Sequence, residues 1–358
     1  MTRRAAARGA FIGILQRPHG RLCAIIRTYP IADEAPAISF FLAKRFASFV
    51  VTLLAASAVI FTVLDVLPGN AAEVMLGESA TPESLAALTA KLGLDRPAPV
   101  RYADWLKGLA TGDLGLSIAY DTPITQLIGE RLRVTLPLAL LAMALTTVLA
   151  FVLGLFAAAR HGRAGDVGVM AISQIGIAIP SFWFAILLIL LFSVKLRWFS
   201  AGGFPGWSAE DGGGPGPALR ALVLPAVAIA VVQAAILTRI VRSAVLEVLR
   251  EDFVRTARAK GQSPRCVLWG HVLRNAMVPV LTVMGLQFAS LLAGTVVIEQ
   301  VFSLPGLGRL VFQAIANRDL LVVRNVVMLL AATVVVINFV VDVLYVVIDP
   351  RLRAKAAA

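Results

Sequence analysis

The chain has little cysteine, little histidine and little charge. Its 358 residues hold 2 cysteines and 3 histidines, and only 15% of the chain is charged. Cys23 and Cys266 lie far apart with no CxxC pair, which argues against a disulfide framework or a redox couple. His19, His161 and His271 are equally scattered, none at a metal-ligand spacing, so each is expected to be solvated or structural and no metal site is expected. The phosphate loop GxxxxGK[ST] is missing, and even the dipeptide Gly-Lys does not occur. The chain therefore lacks the P-loop signature of a nucleotide hydrolase.

What is abundant is apolar sequence. Hydrophobic residues make up 59% of the chain and the mean hydropathy is +0.84, far from the balance of a soluble domain. A membrane span needs roughly 20 mostly apolar residues. Six candidates stand out, at about 46–67, 136–159, 167–194, 221–238, 277–298 and 323–348. Lipid offers backbone groups no partner, so spans of this length and composition are expected to be helices, which makes the chain an all-α integral membrane protein.

Placing the N-terminus inside puts 21 of the 33 Lys and Arg residues in cytoplasmic segments. Six of the remaining 12 fall in the long segment after the first span, where the positive-inside rule carries little weight. Both termini are thus expected in the cytoplasm. The chain divides into a basic N-terminal tail, 1–40, and a first transmembrane helix, 41–67. A folded extracytoplasmic segment, 68–133, precedes a core of spans two to six, 134–350, and a short cytoplasmic tail, 351–358. The net charge of +12 would suggest nucleic acid in a soluble protein. Here it is dispersed over loops and tails with no continuous basic face, and no nucleic-acid partner is expected.

The basic tail fits either a flexible segment near anionic lipid headgroups or an interfacial helix. In the extracytoplasmic segment, Thr81-Pro82-Glu83 reads as an N-cap, a first-turn proline and an acidic first turn, with Gly93 closing that helix. A second helix is expected around Tyr102 to Leu109, before the turn Gly112-Asp113-Leu114-Gly115. This segment fits a docking surface or a plug over the bundle. The loop at 197–219 is so rich in glycine and proline that it is expected to be mobile with little to pack. The run Phe302-Ser303-Leu304-Pro305-Gly306-Leu307-Gly308 instead joins turn formers to apolar anchors and reads as a shaped corner.

Catalysis finds no constellation. Ser173, Ser181 and Ser290 lie in spans, but no histidine is expected at membrane depth to act as their base. Asp65 and Asp342 sit near opposite ends of their spans and cannot share a proton. Asp342, with Asn338 four residues earlier on the same helix face, fits a helix-packing contact, a snorkelling group or an interior seam. Gln174, Gln233 and Gln287 fit either interhelical hydrogen bonds or groups lining a pathway. No catalytic residue and no cofactor of the chain's own is expected.

The stretch from Asp252 to Pro279 is charged and helical in pattern, yet lies between two apolar spans. Phe253, Ala257 and Gly261 recur at four-residue spacing with Arg250, Arg255 and Arg258 between them. Gly261 is placed to stop the first helix, with Lys260 in its last turn, and Ser263-Pro264 supplies the next N-cap and first-turn proline. The prediction is a short helix, a tight turn and a second helix entering the membrane. If the chain moves solute uphill with ATP, another subunit must hydrolyse it, and this hairpin is where that subunit would push.

At these residues the chain resembles the binding-protein-dependent ABC transporter permeases of the dipeptide, oligopeptide and nickel group. The resemblance is carried by Ala257-Arg258-Ala259-Lys260-Gly261, His271, Arg274-Asn275-Ala276 and Pro279. It continues through Thr282, Gly285, Gly294, Glu299, Phe302, Pro305-Gly306, Gly308, Arg318-Asp319, Asn338, Asp342, Tyr345 and Asp349-Pro350-Arg351. Earlier, Leu92-Gly93-Leu94-Asp95, Trp105, Gly112-Asp113-Leu114-Gly115, Arg131 and Pro180-Ser181 also match. The broad permease consensus has Glu-Ala-Ala six to four residues before the glycine, where this chain has Arg255, Thr256 and Ala257. Only the last alanine and the glycine agree with it.

The resemblance implies a type I ABC importer permease with a coupling helix between spans four and five, in a bacterial inner membrane. Its loop helix, with Phe253, Ala257, Arg258, Ala259, Lys260 and Gly261, would enter a cleft on a cytoplasmic ATPase. Small residues at 257, 259 and 261 let a partner approach the backbone, while the arginines meet acidic or carbonyl groups. The expected partners are a second homologous permease, two ATPase subunits that use ATP and Mg, an extracytoplasmic solute-binding protein and membrane lipid. Peptides are the expected cargo, with nickel or another small solute as the rival and a membrane-embedded enzyme as the reading from a different class. The corner residues Glu299, Phe302, Pro305, Gly306 and Gly308 would lie on the extracytoplasmic side, where the outer loops dock the binding protein.

Overall fold

The computed structural model describes residues 35–66, 81–91, 95–210 and 212–348. Among these the chain is almost wholly helical, the exception being an isolated bridge between Leu116 and Pro123. The helices are α1 (Ala35–Val66), α2 (Pro82–Lys91), α3 (Ala98–Thr111), α4 (Ile124–Ala159), α5 (Ala164–Ala178) and α6 (Ser181–Leu188), which runs on as a π-helical stretch, Ile189–Lys195. After them come α7 (Pro215–Val248), α8 (Asp252–Ala259), α9 (Pro264–Val267), α10 (Leu273–Val301), α11 (Leu307–Ala316) and α12 (Leu320–Ile348). The tails at 1–34 and 349–358 lie outside the described residues, as does Gly93, the expected end of α2.

Five helical stretches are long and apolar enough to cross a membrane: Ala43–Asp65, Ile124–Ala159, Pro215–Val248, Pro264–Val301 and Leu320–Val343. The expected third span is not one straight helix. It is a pair, Ala164–Ala178 and Ser181–Lys195, bent by 100° at the break. Pro180 causes the break, since it has no N–H to give the helix and its ring drives the preceding residue out of helical space. Ile179 is accordingly extended, at φ −87° and ψ 122°. The pair counts as a sixth span when taken together.

Helix α7 is the centre of the bundle. Of its apolar window 61% is buried, against 11% for α1 and for α12, so α7 is enclosed by its neighbours while those two line the periphery. Small residues make this possible, with Ala226, Ala228, Ala230, Ala234 and Ala235 all buried. Small side chains let helices approach closely where lipid supplies no hydrophobic drive for association. On α4, Gly154 lies so close to α7 that a Cβ there would stand 2.8 Å from the Val241 side chain.

Two apolar cores follow from this packing. Towards one end Leu138 of α4, Leu188 of α6, Leu222 and Leu224 of α7 and Leu291 and Ile298 of α10 cluster with Phe302 and Leu304. Towards the other, Ala150 of α4 and Leu237, Val241 and Val245 of α7 cluster with Val254, Val267, Val272 and Ala276. The second end carries the hairpin, and the first carries the loops between spans.

A buried ion pair ties α5 to α7 at the hairpin end. Arg242 Nε donates to Asp166 Oδ1 at 2.6 Å and its Nη2 donates to Oδ2 at 2.7 Å, a bidentate pairing. Gly162 N also donates to Asp166 Oδ2, at 3.0 Å, and His161 Nδ1 lies 3.3 Å from the same oxygen. The carboxylate therefore closes the turn after α4 and holds the start of α5 in one stroke.

The glycine-rich loop at 197–219 departs from expectation, because it is anchored. Gly203 N donates to Phe302 O at 2.9 Å, and a Cβ on Gly202 would lie 2.6 Å from that same carbonyl. Trp207 Nε1 donates to Arg133 O at 2.8 Å, and Phe204 and Trp207 pack edge to face at 5.5 Å over the first core. Here glycine provides close backbone approach, and two aromatic side chains supply the packing that composition hid.

Replacing Asp166 with Asn is expected to leave the Arg242 guanidinium half-buried beside a neutral amide. The cost is about 1–3 kcal/mol, at the low end for a buried pair because Arg242 is partly wet. A fall in the midpoint of thermal unfolding of the detergent-solubilised protein checks it, and an unchanged midpoint contradicts it.

Candidate functional site: the charged hairpin and the loop end

The hairpin forms as its sequence predicts. Helix α8 ends at Ala259, Lys260 leaves helical space at φ −75° and ψ 6°, and Gly261 takes the left-handed conformation at φ +76°. Gly261 N donates to Arg258 O at 2.9 Å and Gln262 N to Ala257 O at 3.3 Å, so the turn uses the helix's last free carbonyls. Ser263 Oγ then accepts from Cys266 N at 3.3 Å and caps α9. His271 Nε2 lies 3.1 Å from Gln262 Oε1, pinning the turn to the π-helical stretch Leu268–Val272 through which the chain enters α10.

The two faces of α8 are sharply different. Val254 and Ala257 point inward, at 0% and 8% exposure, and pack into the second core with Val245 and Ala244 of α7. Phe253, Arg255, Thr256, Arg258, Ala259, Lys260 and Gly261 are exposed. Ala257 therefore does not stand among the outward groups where its spacing with Phe253 and Gly261 placed it. A helix repeats every 3.6 residues, so a strict four-residue spacing drifts around the surface, and Ala257 falls on the seam against α7. The outward face is a short basic ridge beside one exposed phenyl ring and a glycine whose Cβ position has no atom within 4 Å.

The corner at 299–308 is also more inward than its sequence suggests. Glu299 is fully buried, with Oε1 accepting from Thr135 Oγ1 at 2.6 Å and Oε2 from Gly308 N at 2.7 Å. Thr135 Oγ1 in turn accepts from Leu307 N at 2.8 Å. The carboxylate and the threonine together satisfy the free N–H groups at the start of α11, where negative charge is favoured. The side chain of Glu299 fills the space a Cβ on Gly306 would need, and Gly308 lies equally close to Val296. Phe302, Gly306 and Gly308 are buried and Pro305 is half-buried. These residues build the corner from within.

Of the polar residues read as pathway candidates, Gln287 and Gln233 meet, and the others do not join them. Gln287 Nε2 donates to Gln233 O at 3.1 Å, an interhelical bond between α10 and α7. The buried Oε1 of Gln287 has no partner among the described residues. Gln174 and Asn338 are exposed. Asp342 pairs with Arg45 of α1 at 3.2 Å, so the first and last spans are held together there.

Other residues that organise the loop end were not picked out as functional in the sequence. Asp319 is buried; its Oδ2 accepts from Ser117 Oγ, Ile118 N and Ala119 N at 2.6, 3.0 and 3.2 Å, and its Oδ1 from Val322 N at 3.2 Å. Trp105 Nε1 donates to Asn325 Oδ1 at 2.9 Å, and Tyr102 and Ser57 share a hydroxyl bond at 2.8 Å. Helix α3 is thereby braced against α1 and α12. Apart from the local cap from Asp319 to Val322, each of these pairs joins positions tens to hundreds of residues apart, and neither partner alone signals the other. Among the described residues no group of three or more His, Cys, Asp or Glu could hold a metal ion.

Residues 150–354 match the family model described as the binding-protein-dependent transport system inner membrane component, and residues 38–139 match that of its N-terminal region. A putative peptide transport system permease protein of Brucella abortus is 44% identical over 310 residues, covering 87% of this chain and 98% of that one. A di/tripeptide transport system permease protein of Pseudomonas aeruginosa is 39% identical over 330 residues, with 87% and 98% covered. A glutathione transport system permease protein of Escherichia coli is 36% identical over 312 residues, again with 87% and 98% covered. The solved MetNI methionine ABC transporter, in inward-facing conformations, aligns over 63% of this chain and 97% of the matched chain at a TM-score of 0.51 and 20% identity. That likeness supports the fold. The chain belongs to the family of binding-protein-dependent transport system inner membrane components, the permeases of ABC importers.

Proposed function

We propose that this chain is a permease subunit that carries peptides across a bacterial inner membrane, driven by ATP hydrolysis in partner subunits. The observation that carries the coupling role is the outward face of the hairpin. Phe253, Arg255, Arg258, Ala259, Lys260 and Gly261 form an exposed ridge on a helix whose other face is locked to α7. A force applied to that ridge is transmitted to a bundle that shifts as packed, rigid units. Phe253, Ala259 and Gly261 fit a cleft on a cytoplasmic ATPase, with the basic side chains meeting its acidic or carbonyl groups. Ala257 acts as a positioning residue by seating the helix.

Peptide cargo is supported by relatives at 35–44% identity that are named for peptide, dipeptide or glutathione transport. The working unit on this reading pairs the chain with a second homologous permease, two cytoplasmic ATPases that use ATP and Mg, and an extracytoplasmic solute-binding protein. Closure of the ATPases on ATP would draw the two hairpins together and open the bundle outward, and hydrolysis would reset it. Both termini lie in the cytoplasm, which puts the hairpin on the ATPase side and the loop end outside. The segment 68–133 and core 134–350 serve as extracytoplasmic platform and translocating bundle.

Two outcomes check this reading. Gly261→Arg places a long side chain on left-handed backbone, at a cost of about 1–2 kcal/mol, and on the face assigned to the ATPase. The variant is expected to insert normally and yet lose ATPase co-purification and at least about tenfold of peptide uptake, in line with a clash at the centre of an interface; normal values of both contradict the docking role. A reporter fused after Arg353 is expected to read cytoplasmic, and an external signal overturns the orientation.

A further inference from the structure

At the loop end a cleft of about 410 Å³ opens between α3, the turn after it and the start of α12. Its lining includes the cations Arg96, Arg101, Lys107 and Arg324 and the carboxylates Asp104 and Asp113. Most of these charges are already engaged. Arg96 pairs with Asp104 at 2.7 Å, Arg101 pairs with Asp65 of α1 at 2.8 Å, and Asp113 Oδ1 accepts from Gly115 N at 3.2 Å.

Arg324 is different. Its guanidinium lies over the Trp105 ring at 4.8 Å and the Phe61 ring at 5.7 Å. It makes no ion pair among the described residues, and its Nε is buried with no hydrogen-bond partner there. The Nε itself is closed to solvent, so an arriving acceptor meets the guanidinium where it lines the cleft. Contact with the two rings restricts the side chain, so less freedom is lost when it is met. A planar fork held in this way suits a carboxylate.

We propose that this cleft receives an Asp or Glu side chain of the solute-binding protein, with Arg324 as its anchor and Lys107 on its rim. The proposal rests on the reading that a binding protein docks at this end of the permease. Two observations favour a protein. The lining holds four cations, Arg96, Arg101, Lys107 and Arg324, against the carboxylates of Asp104 and Asp113, a surplus of positive charge that complements an acidic patch on a partner surface. The walls also belong to a segment braced on the bundle by Trp105, Tyr102 and Asp319, which gives a partner a rigid seat.

The test uses the assembled transporter in phosphatidylcholine proteoliposomes, with ATP hydrolysis titrated by its purified, solute-loaded binding protein. Arg324→Gln is expected to raise the half-saturating concentration about tenfold and leave hydrolysis without binding protein unchanged, as for loss of a desolvated charge contact. Lys107→Glu, on an exposed residue whose change leaves the fold alone, is expected to raise it about threefold and to flatten its dependence on salt, as for a rim charge. Arg324→Lys should recover only part of the affinity, because it keeps the charge and loses the fork. Stimulation of the parent with unchanged half-saturation in both Arg324→Gln and Lys107→Glu overturns the proposal and spares the docking reading. No stimulation of the parent at any concentration overturns both. If Arg324→Gln instead removes a dependence of unstimulated hydrolysis on added phosphatidylglycerol, the site belongs to lipid and the proposal falls.

Discussion

The close packing of α7 against its neighbours is the constraint on which the rest of the structure depends. In hydrocarbon, helices gain nothing by hiding apolar side chains from one another, so association depends on dispersion contacts at short range. The alanines along α7 and Gly154 on α4 bring backbones near enough for those contacts to accumulate. Neighbouring helices are then fastened to this assembly. Helix α5 is fastened by Asp166 and Arg242, α10 by the Gln287 amide on the Gln233 carbonyl, and α8 by Val254 and Ala257.

Two buried carboxylates, Glu299 and Asp319, stand beside helix starts, and there each does two tasks at once. Glu299 caps α11 and fills the corner beneath Gly306; Asp319 caps α12 and receives the chain at Ser117–Ala119. A charge in a span is costly, but a helix start presents unpaired N–H groups that would otherwise be as costly. Setting one against the other removes both penalties. The same economy explains why the loop end is a firm platform despite its glycines and prolines. The same platform carries Arg324, whose buried Nε has no acceptor among the described residues.

On the proposed coupling role, transmission would follow from the asymmetry of α8. Its buried face belongs to the core shared with α7 and α10, and its other face is exposed. A push on Phe253 or the arginines would pass beyond the hairpin, because Gly261, Ser263 and His271 tie the turn to its neighbours. The π-helical stretch Leu268–Val272 connects the hairpin directly to α10. Movement of the hairpin is thereby movement of two spans.

The sequence by itself determined the class, the spans and the hairpin. Those features are written in local signals: runs of about 20 apolar residues, Gly261 as a left-handed stop, Ser263-Pro264 as a start, and motifs spread from Phe40 to Arg353. It also contained the break at Pro180, although the apolar run across 167–194 masked it, because hydropathy does not register a missing N–H. Tertiary structure alone decided which side of α8 faces out, so Ala257 turned inward while Phe253 stayed exposed. It alone paired Asp342 with Arg45, Asp166 with Arg242 and Trp105 with Asn325. Hydropathy and capping act over a few residues and can be read along the chain. Pairing across 76 or 220 residues depends on which helices pack, and that is settled by the close approach that small residues permit, not by either partner's own neighbours.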